Sequence, residues 1–199
     1  MRVDAQRRRK KILAAGVRLL MRHGDAMTLE SVAKRAGVGI ATVYRNFPTR
    51  EDLVRHIMAD IVEQALDDLE HILQHPPQNL TQANEVIQQL VSLIDGVGLN
   101  IVIPTLLNPD EAALSEGYAQ ARSRLLDMLL LVASQLKACG AVHPSIEAID
   151  FYNGIARLVD HQARSAHGSL GSNHQDLLNI FLAGCRHGVS TGSPEGFPQ

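Results

Sequence analysis

The sequence predicts an all-α protein, in which an N-terminal three-helix unit precedes a larger helical body. Apolar residues recur at three- and four-residue spacing along most of the chain, first at Ile12, Ala15 and Leu19, and that spacing is typical of helices with one buried face. Glycine and proline stand where such helices must end. No segment shows a convincing strand pattern.

The end signals define the first three helices. The first ends at Gly24, and Thr28 can cap the second, which stops at Gly37 because glycine tolerates the backbone of a tight turn. The third covers residues 38–47. Pro48 closes it, since a residue before proline is pushed out of the α region.

A long helix is predicted from about Arg50 to Gln74. Thr49 with Asp52 resembles a capping box, and the two prolines of "HPPQN" forbid continuation. The remaining helical segments are Thr81 to Asp95, Leu99 to Leu107 broken at Pro104, Glu111 to Ala138, Pro144 to Ala166 with proline in its first turn, and His174 to Gly188.

Charge is distributed unevenly over the 199 residues. Residues 1–55 contain thirteen Lys/Arg and five Asp/Glu, a net charge of +8, whereas the remaining residues contain six and sixteen, a net charge of −10. A basic module on an acidic body indicates a polyanionic partner for the first part. Nucleic acid is the leading candidate and an anionic membrane the second.

Membrane insertion is not expected. The longest nearly uninterrupted apolar run, Leu125 to Leu136, has twelve residues and includes Asp127, whereas a membrane-spanning helix needs about 20 apolar residues. The N-terminus lacks the apolar stretch of a signal peptide. Two cysteines without CxxC spacing suit a reducing compartment, so we expect the protein in the cytoplasm.

The third helix presents an unusual outward face. Val43 and Phe47 are four residues apart and face the core. The residues left outward are small or hydrogen-bonding, as entry into a DNA groove requires: Gly39, Ile40, Ala41, Thr42, Tyr44, Arg45 and Asn46. The alternative is a helical hairpin of a bundle whose Arg and Lys only solvate the surface. That alternative does not explain the excess of positive charge.

The stretch "TLESVAKRAGVGIATVYRNFPTREDLV", from Thr28 to Val54, resembles the DNA-binding region of the tetracycline-repressor (TetR) family. In that family the recognition helix ends in an aromatic pair, and a Pro/Ser/Thr-Lys/Arg-Glu sequence starts the linking helix. The close match covers about residues 10–55. The resemblance implies a helix-turn-helix DNA-binding domain over 1–48, a helical effector-binding and dimerisation domain over 49–189, and a disordered tail over 190–199.

The resemblance also implies roles for individual residues. Thr28 and Arg50 would hold phosphates at helix starts, and Tyr44 would bond the DNA backbone. Arg45 would read a guanine. Gly39 stands where many members carry Ser or Thr, which removes one hydroxyl contact. The predicted DNA contacts are Thr28, Gly39, Ile40, Ala41, Thr42, Tyr44, Arg45, Asn46 and Arg50.

The basic run Arg7 to Lys11 has two interpretations. Positive charge opposes the dipole at the start of a free helix, so we expect a flexible arm that lies along phosphates or in the minor groove. A solvated charge run is the equal alternative.

The function implied for the whole chain is sequence-specific regulation of transcription. The protein would be a repressor that dimerises on a palindromic operator through its last two helices and is released by a small, mostly apolar effector. The last two helices carry more apolar residues than one buried helix face needs, and this surplus agrees with a dimer interface. Examples are Ile155, Val159, Leu177 and Leu178. A larger monomeric core is the alternative.

The expected effector pocket surrounds the break at Pro104. Its predicted lining is Met58, Ile61, Val62, Leu90, Ile94, Asn100, Thr105, Tyr118, Leu125, Met128 and Leu129. These residues could equally fill an ordinary core.

No cofactor, metal or catalytic activity is expected. His71 and His75 have the spacing of a metal pair, but they sit at a helix C-terminus, where histidine is favoured anyway. The competing class is an all-α enzyme or a small-molecule-binding module with a basic surface.

Overall fold

The computed structural model describes residues 2–106, 116–159 and 174–188. These residues form helices and no strand, which confirms the all-α prediction. The helices are α1 Arg2–His23, α2 Leu29–Ala36, α3 Ile40–Asn46, α4 Arg50–Gln74, α5 Leu80–Val97, α6 Leu99–Val102, α7 Glu116–Ala138, α8 Ala148–Val159 and α9 His174–His187, with short 3-10 turns at Gly24–Ala26 and Ile103–Thr105.

The N-terminal helix ends follow the predicted chemistry. Thr28 caps α2 and forms a reciprocal capping box with Ser31. Gly37 ends α2 in the left-handed region, with φ of 66°. Thr49 and Asp52 form the second capping box at the start of α4. Each box satisfies backbone N–H groups that a helix start would otherwise leave without partners.

A single hydrophobic core runs through the described helices, from Ile12 in α1 to Cys185 in α9. The helix α4 packs against α1, α5, α6 and α7, and α8 packs against α5, α6, α7 and α9. Close approach of α1 to α4 depends on Gly16, where an added Cβ would lie 2.7 Å from Ile57 Cδ1. The helix α4 therefore packs against both the N-terminal unit and the larger helical body.

The expected flexible arm and one predicted helix start are wrong. Because α1 already begins at Arg2, the run Arg7 to Lys11 lies inside a helix and does not form a flexible arm. Asp4 in the first turn offsets the dipole. The helix α8 begins at Ala148, not at Pro144. The residues before α8 form a local turn, since the backbone N–H of Ile146 donates to the His143 carbonyl at 3.0 Å.

Part of the sequence prediction lies outside the described residues, namely the tail at 190–199, the extension of α8 to Ala166, and the predicted helix ends at Leu107 and Glu111. Among the helices that the structure describes, none has the length and apolar character needed to cross a bilayer.

Candidate nucleic-acid interface

The helix α3 has a buried face and an exposed face, as predicted. Val43 and Phe47 are fully buried. Ile40 and Tyr44 are 38% and 45% exposed, although both are large and hydrophobic. Large apolar side chains on a small exposed helix are candidates for contact with a partner.

The turn between α2 and α3 fixes how these helices meet. The backbone N–H of Val38 donates to the Ala33 carbonyl at 3.1 Å, and that of Gly37 donates to the carbonyl of Lys34 at 3.4 Å. These bonds satisfy the last carbonyls of α2 around a left-handed glycine. The fold thus holds α3 against α2 through a short turn, which is the arrangement of a helix-turn-helix.

Polar side chains of α3 bond to their own helix. Arg45 Nε donates to the Ala41 carbonyl at 3.1 Å, and Asn46 Nδ2 donates to the Thr42 carbonyl at 2.7 Å. Gly39 is the N-cap and has no side chain to bond. Ala41 and Arg45 are exposed on the outer face, whereas Thr42 and Asn46 are half-buried.

Tyr44 is joined to α2. Its hydroxyl donates to Glu30 Oε1 at 3.2 Å. Hydrogen bonds from the backbone of Glu30 and from Tyr44 lower the pKa of the Glu30 carboxyl. The same bond and the negative charge of Glu30 raise the pKa of Tyr44. At neutral pH the pair is therefore a phenol bonded to a carboxylate, and both side chains are at the surface.

Arg50 lies at the start of α4 but turns inward. Its Nε donates to the Met27 carbonyl at 3.1 Å, and its terminal nitrogen donates to the Gly24 carbonyl at 3.3 Å and pairs with Asp25 at 3.0 Å. The guanidinium thereby ties α4 to the turn that follows α1. The phosphate contact predicted for Arg50 stays a prediction, and this side chain would have to share its donors to make it.

Arg9, in the basic run of α1, contacts Phe47 at the end of α3. The Arg9 guanidinium carbon lies 4.8 Å from the centre of the Phe47 ring. The ring of His56 meets the same phenylalanine edge-on, with centroids 5.2 Å apart. Arg7, Arg8 and the lysines of the run are exposed, so the run adds positive charge beside the recognition helix.

The sequence did not reveal the partners of these side chains. Glu30, Asp25 and Arg9 contact residues more than ten positions away, and no local pattern marks such contacts. Ser31 was within reach of sequence reasoning, because it lies three residues after Thr28, at the capping-box spacing.

The residues predicted to line an effector pocket lie together in the core. All those whose side chains the structure describes are buried: Met58, Ile61, Val62, Leu90, Ile94, Asn100, Tyr118, Leu125, Met128 and Leu129. The side chain of Thr105 lies outside the described part of the chain. Asn100 is 9% exposed, and its buried Oδ1 has no hydrogen-bond partner among the residues that the structure describes. A buried acceptor of this kind is costly unless something donates to it.

The surface grooves of the described residues lie away from the predicted effector pocket. One of about 540 Å³ lies between the end of α4 and α5 and is lined in part by His71, His75 and Gln82. The rings of His71 and His75 are 5.4 Å apart. Among the described residues, no group of three or more His, Cys, Asp or Glu side chains is arranged to hold a metal.

Some of the residues predicted to form a dimer interface are buried within this chain, and others are exposed. Ile155, Val159 and Leu178 are buried in the core of this chain. Leu177 and Ile180 of α9 are 39% and 68% exposed. Ala183 and Gly184 are exposed further along the same helix. Of the two helices predicted to form the interface, α9 is therefore the one that leaves large apolar side chains exposed.

The comparisons with known proteins converge on one family. Residues 12–57 match the family model described as bacterial regulatory proteins, tetR family. This range begins in α1 and ends in the first half of α4, so it contains the helix-turn-helix described above. No curated protein matches the chain.

Solved structures resemble the chain over most of its length. A TetR transcriptional regulator from Streptomyces coelicolor is 26% identical, with a TM-score of 0.55, over 89% of this chain and 98% of that one. A TetR family regulator from Marinobacter aquaeolei VT8 is 20% identical, with a TM-score of 0.53, over 94% and 97%. FadR from Bacillus subtilis, in complex with stearoyl-CoA, is 20% identical, with a TM-score of 0.53, over 91% and 99%. The last two show the fold alone.

Proposed function

Because the chain belongs to the tetR family of bacterial regulatory proteins, we propose that it is a cytoplasmic repressor that binds a palindromic operator as a homodimer and leaves it when a small effector binds. Residues 1–48 would form the DNA-binding domain, and residues 49–189 the effector-binding and dimerisation domain. The observation that carries this proposal is the exposed outer face of α3 beside a basic α1.

The outer face of α3 has the chemistry needed for groove entry. Ile40 and Ala41 offer apolar contact to a thymine methyl group, and the Arg45 fork suits the two acceptors on a guanine edge. Thr28, at the start of α2, and Tyr44 offer groups that bond phosphates. Gly39, Thr42, Asn46 and Arg50 complete the proposed contacts. The net charge of +8 over residues 1–55 supports attraction to DNA.

A homodimer through the last two helices, α8 and α9, is proposed from the apolar side chains that α9 leaves uncovered. Leu177 and Ile180 lie three residues apart on this helix, with Ala183 next along the same side. Small and apolar residues together allow a second helix to approach closely. A single short recognition helix reads few base pairs, and a dimer presents two of them to two half-sites.

Ile180→Glu tests the dimer. We expect this variant to sediment as a monomer at micromolar concentration and to lose operator affinity, because a charge at the centre of an apolar interface is costly. Leu131→Glu is the matched control, since Leu131 is 50% exposed on α7. Equal behaviour of the two variants, or a wild-type monomer, would contradict the proposed interface.

The effector is proposed to be mostly apolar and to carry a hydrogen-bond donor. Most of the buried residues around α6 are apolar, and among the described residues the Oδ1 of Asn100 has no partner. A ligand N–H or O–H would satisfy that oxygen. The same fold in FadR from Bacillus subtilis is found in complex with stearoyl-CoA, so the fold is compatible with a ligand that carries a long apolar chain.

Thermal-shift screening with fatty acids and aromatic alcohols tests the effector proposal. A genuine effector should raise the melting temperature and weaken operator binding together, since a ligand shifts the protein only toward the form that it binds better. Met128→Trp should abolish both responses, because the larger side chain would occupy the proposed ligand site. Responses that survive Met128→Trp would place the effector elsewhere.

An electrophoretic mobility shift assay with the DNA flanking its own gene tests the central proposal. We expect retention that excess random DNA does not remove, and a footprint with two-fold symmetry. Loss of retention with random competitor would contradict sequence-specific binding. It would favour the competing proposal, an all-α enzyme or small-molecule-binding module with a basic surface.

A further inference from the structure

The bond between Tyr44 and Glu30 occupies a donor that the proposed DNA contact needs. A tyrosine hydroxyl has one hydrogen to donate. In this structure Tyr44 donates it to Glu30 Oε1, at 3.2 Å. A DNA phosphate and a carboxylate are both anionic acceptors, and bonds to either are charge-assisted. The two therefore compete for the same hydrogen.

The position of Glu30 strengthens this competition. Glu30 is the second residue of α2 and is exposed, so its carboxylate lies on the same surface as Tyr44 and the Thr28 cap. Both of these residues are proposed phosphate contacts. A carboxylate in this place repels an approaching phosphate, and it also benefits from the positive end of the α2 dipole.

We propose that Glu30 is an intramolecular competitor of DNA phosphate: it holds the Tyr44 hydroxyl in the unbound protein and releases it when α3 docks. This inference rests on the proposed function. Its consequence is a weaker affinity for DNA in general, because every complex must break the bond between Tyr44 and Glu30. A complex that also gains base contacts tolerates that cost, whereas a complex on random DNA does not.

The chain supplies a matched control for the charge of Glu30. Glu51 is the second residue of α4, just as Glu30 is the second residue of α2, and each follows a threonine cap with a reciprocal capping box. Both carboxylates are exposed. Glu51 makes no hydrogen bond to Tyr44, whose hydroxyl donates to Glu30. Glu51→Gln therefore removes the same charge from an equivalent position and keeps the charge-assisted bond of Tyr44 to Glu30, which Glu30→Gln weakens to a neutral one.

The experiment measures the affinity of the full-length protein for a random-sequence duplex by fluorescence anisotropy at several salt concentrations. Glu30→Gln should bind roughly two- to fivefold more tightly than wild type, a range typical of exposed ion interactions. Glu51→Gln should gain less. In a Tyr44→Phe background the gain from Glu30→Gln should shrink to that of Glu51→Gln, because only the charge effect then remains. Circular dichroism checks that each variant is folded.

Three results would overturn the inference while wild-type binding persists. These are equal gains for Glu30→Gln and Glu51→Gln, an undiminished gain in the Tyr44→Phe background, and weaker binding by Glu30→Gln. The last result would mean that Glu30 holds Tyr44 ready for DNA. A wild-type protein that binds no duplex even at low salt would instead contradict the proposed function, so the two failures are distinguishable.

Discussion

The guanidinium of Arg9 stacks over the ring of Phe47, with its carbon 4.8 Å from the ring centre. This contact joins the second turn of α1 to the residue that ends α3. Phe47 is fully buried, so the cation covers a ring that belongs to the core. The basic run of α1 is thus connected to the recognition helix by packing as well as by charge.

Arg9→Ala should lower stability, whereas Arg8→Ala should not. A cation over an aromatic face contributes about 0.5–1 kcal/mol at exposed sites, which corresponds to roughly 1–4 °C in melting temperature for a chain of this size. Arg8 is the exposed neighbour in the same run. Both variants lose one positive charge, so both should lose similar affinity for random DNA. Equal melting temperatures would show that the stacking contributes nothing.

Arg45→Ala should affect operator binding selectively. We expect a loss of about 1–3 kcal/mol on the operator and little change on random DNA, because the proposed contact is to a base edge. The Nε bond to the Ala41 carbonyl fixes the start of the guanidinium without using its other nitrogens. Competition titrations with operator variants check this. A uniform loss on all sequences would assign Arg45 to the phosphates.

Gly154→Ala should destabilise the body. An added Cβ at this position would lie 2.1 Å from Cζ of Phe181, and we expect a loss of about 1–3 kcal/mol from the forced repacking of α8 and α9. Gly96→Ala is the control, since no described atom beyond its own helix lies within 4 Å of its added Cβ. That change in α5 should leave stability unchanged or raise it slightly. Urea unfolding of both variants measures the difference.

Tyr152 should make stability fall above pH 10. Burial raises the pKa of Tyr152 in the folded protein, whereas an unfolded tyrosine ionises near pH 10. The unfolded state therefore loses its proton first, and stability that is present below pH 10 is lost as the pH rises. Tyr152→Phe should remove the part of this dependence that Tyr152 contributes. It should also lose about 1 kcal/mol at pH 7, with the bond from the hydroxyl to the Leu129 carbonyl at 2.8 Å.

Unfolding curves between pH 8 and about pH 11 compare this variant with wild type. Parallel loss of stability in both proteins would mean that other groups cause the alkaline unfolding.

Local chemistry explains why the N-terminal part was predictable. Thr28, Gly37 and Thr49 form bonds to groups only three or four residues away. Their roles at the helix ends can therefore be predicted from the local sequence, and the structure agrees. The start of α8 was mispredicted because Pro144 suits the first turn of a helix in general. Here His143 and Ser145 bond to each other instead, with Nδ1 and Oγ 2.8 Å apart, and they stabilise a turn.

The sequence predicts which face of α3 is exposed, but it does not predict which side chains of other helices bond to that face. The period of α3 separates Val43 and Phe47 from the outward residues, and this separation is confirmed. Which side chains meet across helices depends on how the helices pack, and no spacing encodes that. The bonds of Tyr44 to Glu30 and of Arg50 to Asp25 are of this kind.

The length of α4 has a mechanical consequence. Its 25 residues span about 37 Å at 1.5 Å per residue, and its first turn is fastened to the helix-turn-helix through Arg50. A helix of this length is a lever: a tilt of about 5° at its far end moves its first turn by about 3 Å. One base-pair step of DNA is about 3.4 Å. In the proposed dimer, a tilt of this size would be enough to put the two recognition helices out of register with their half-sites.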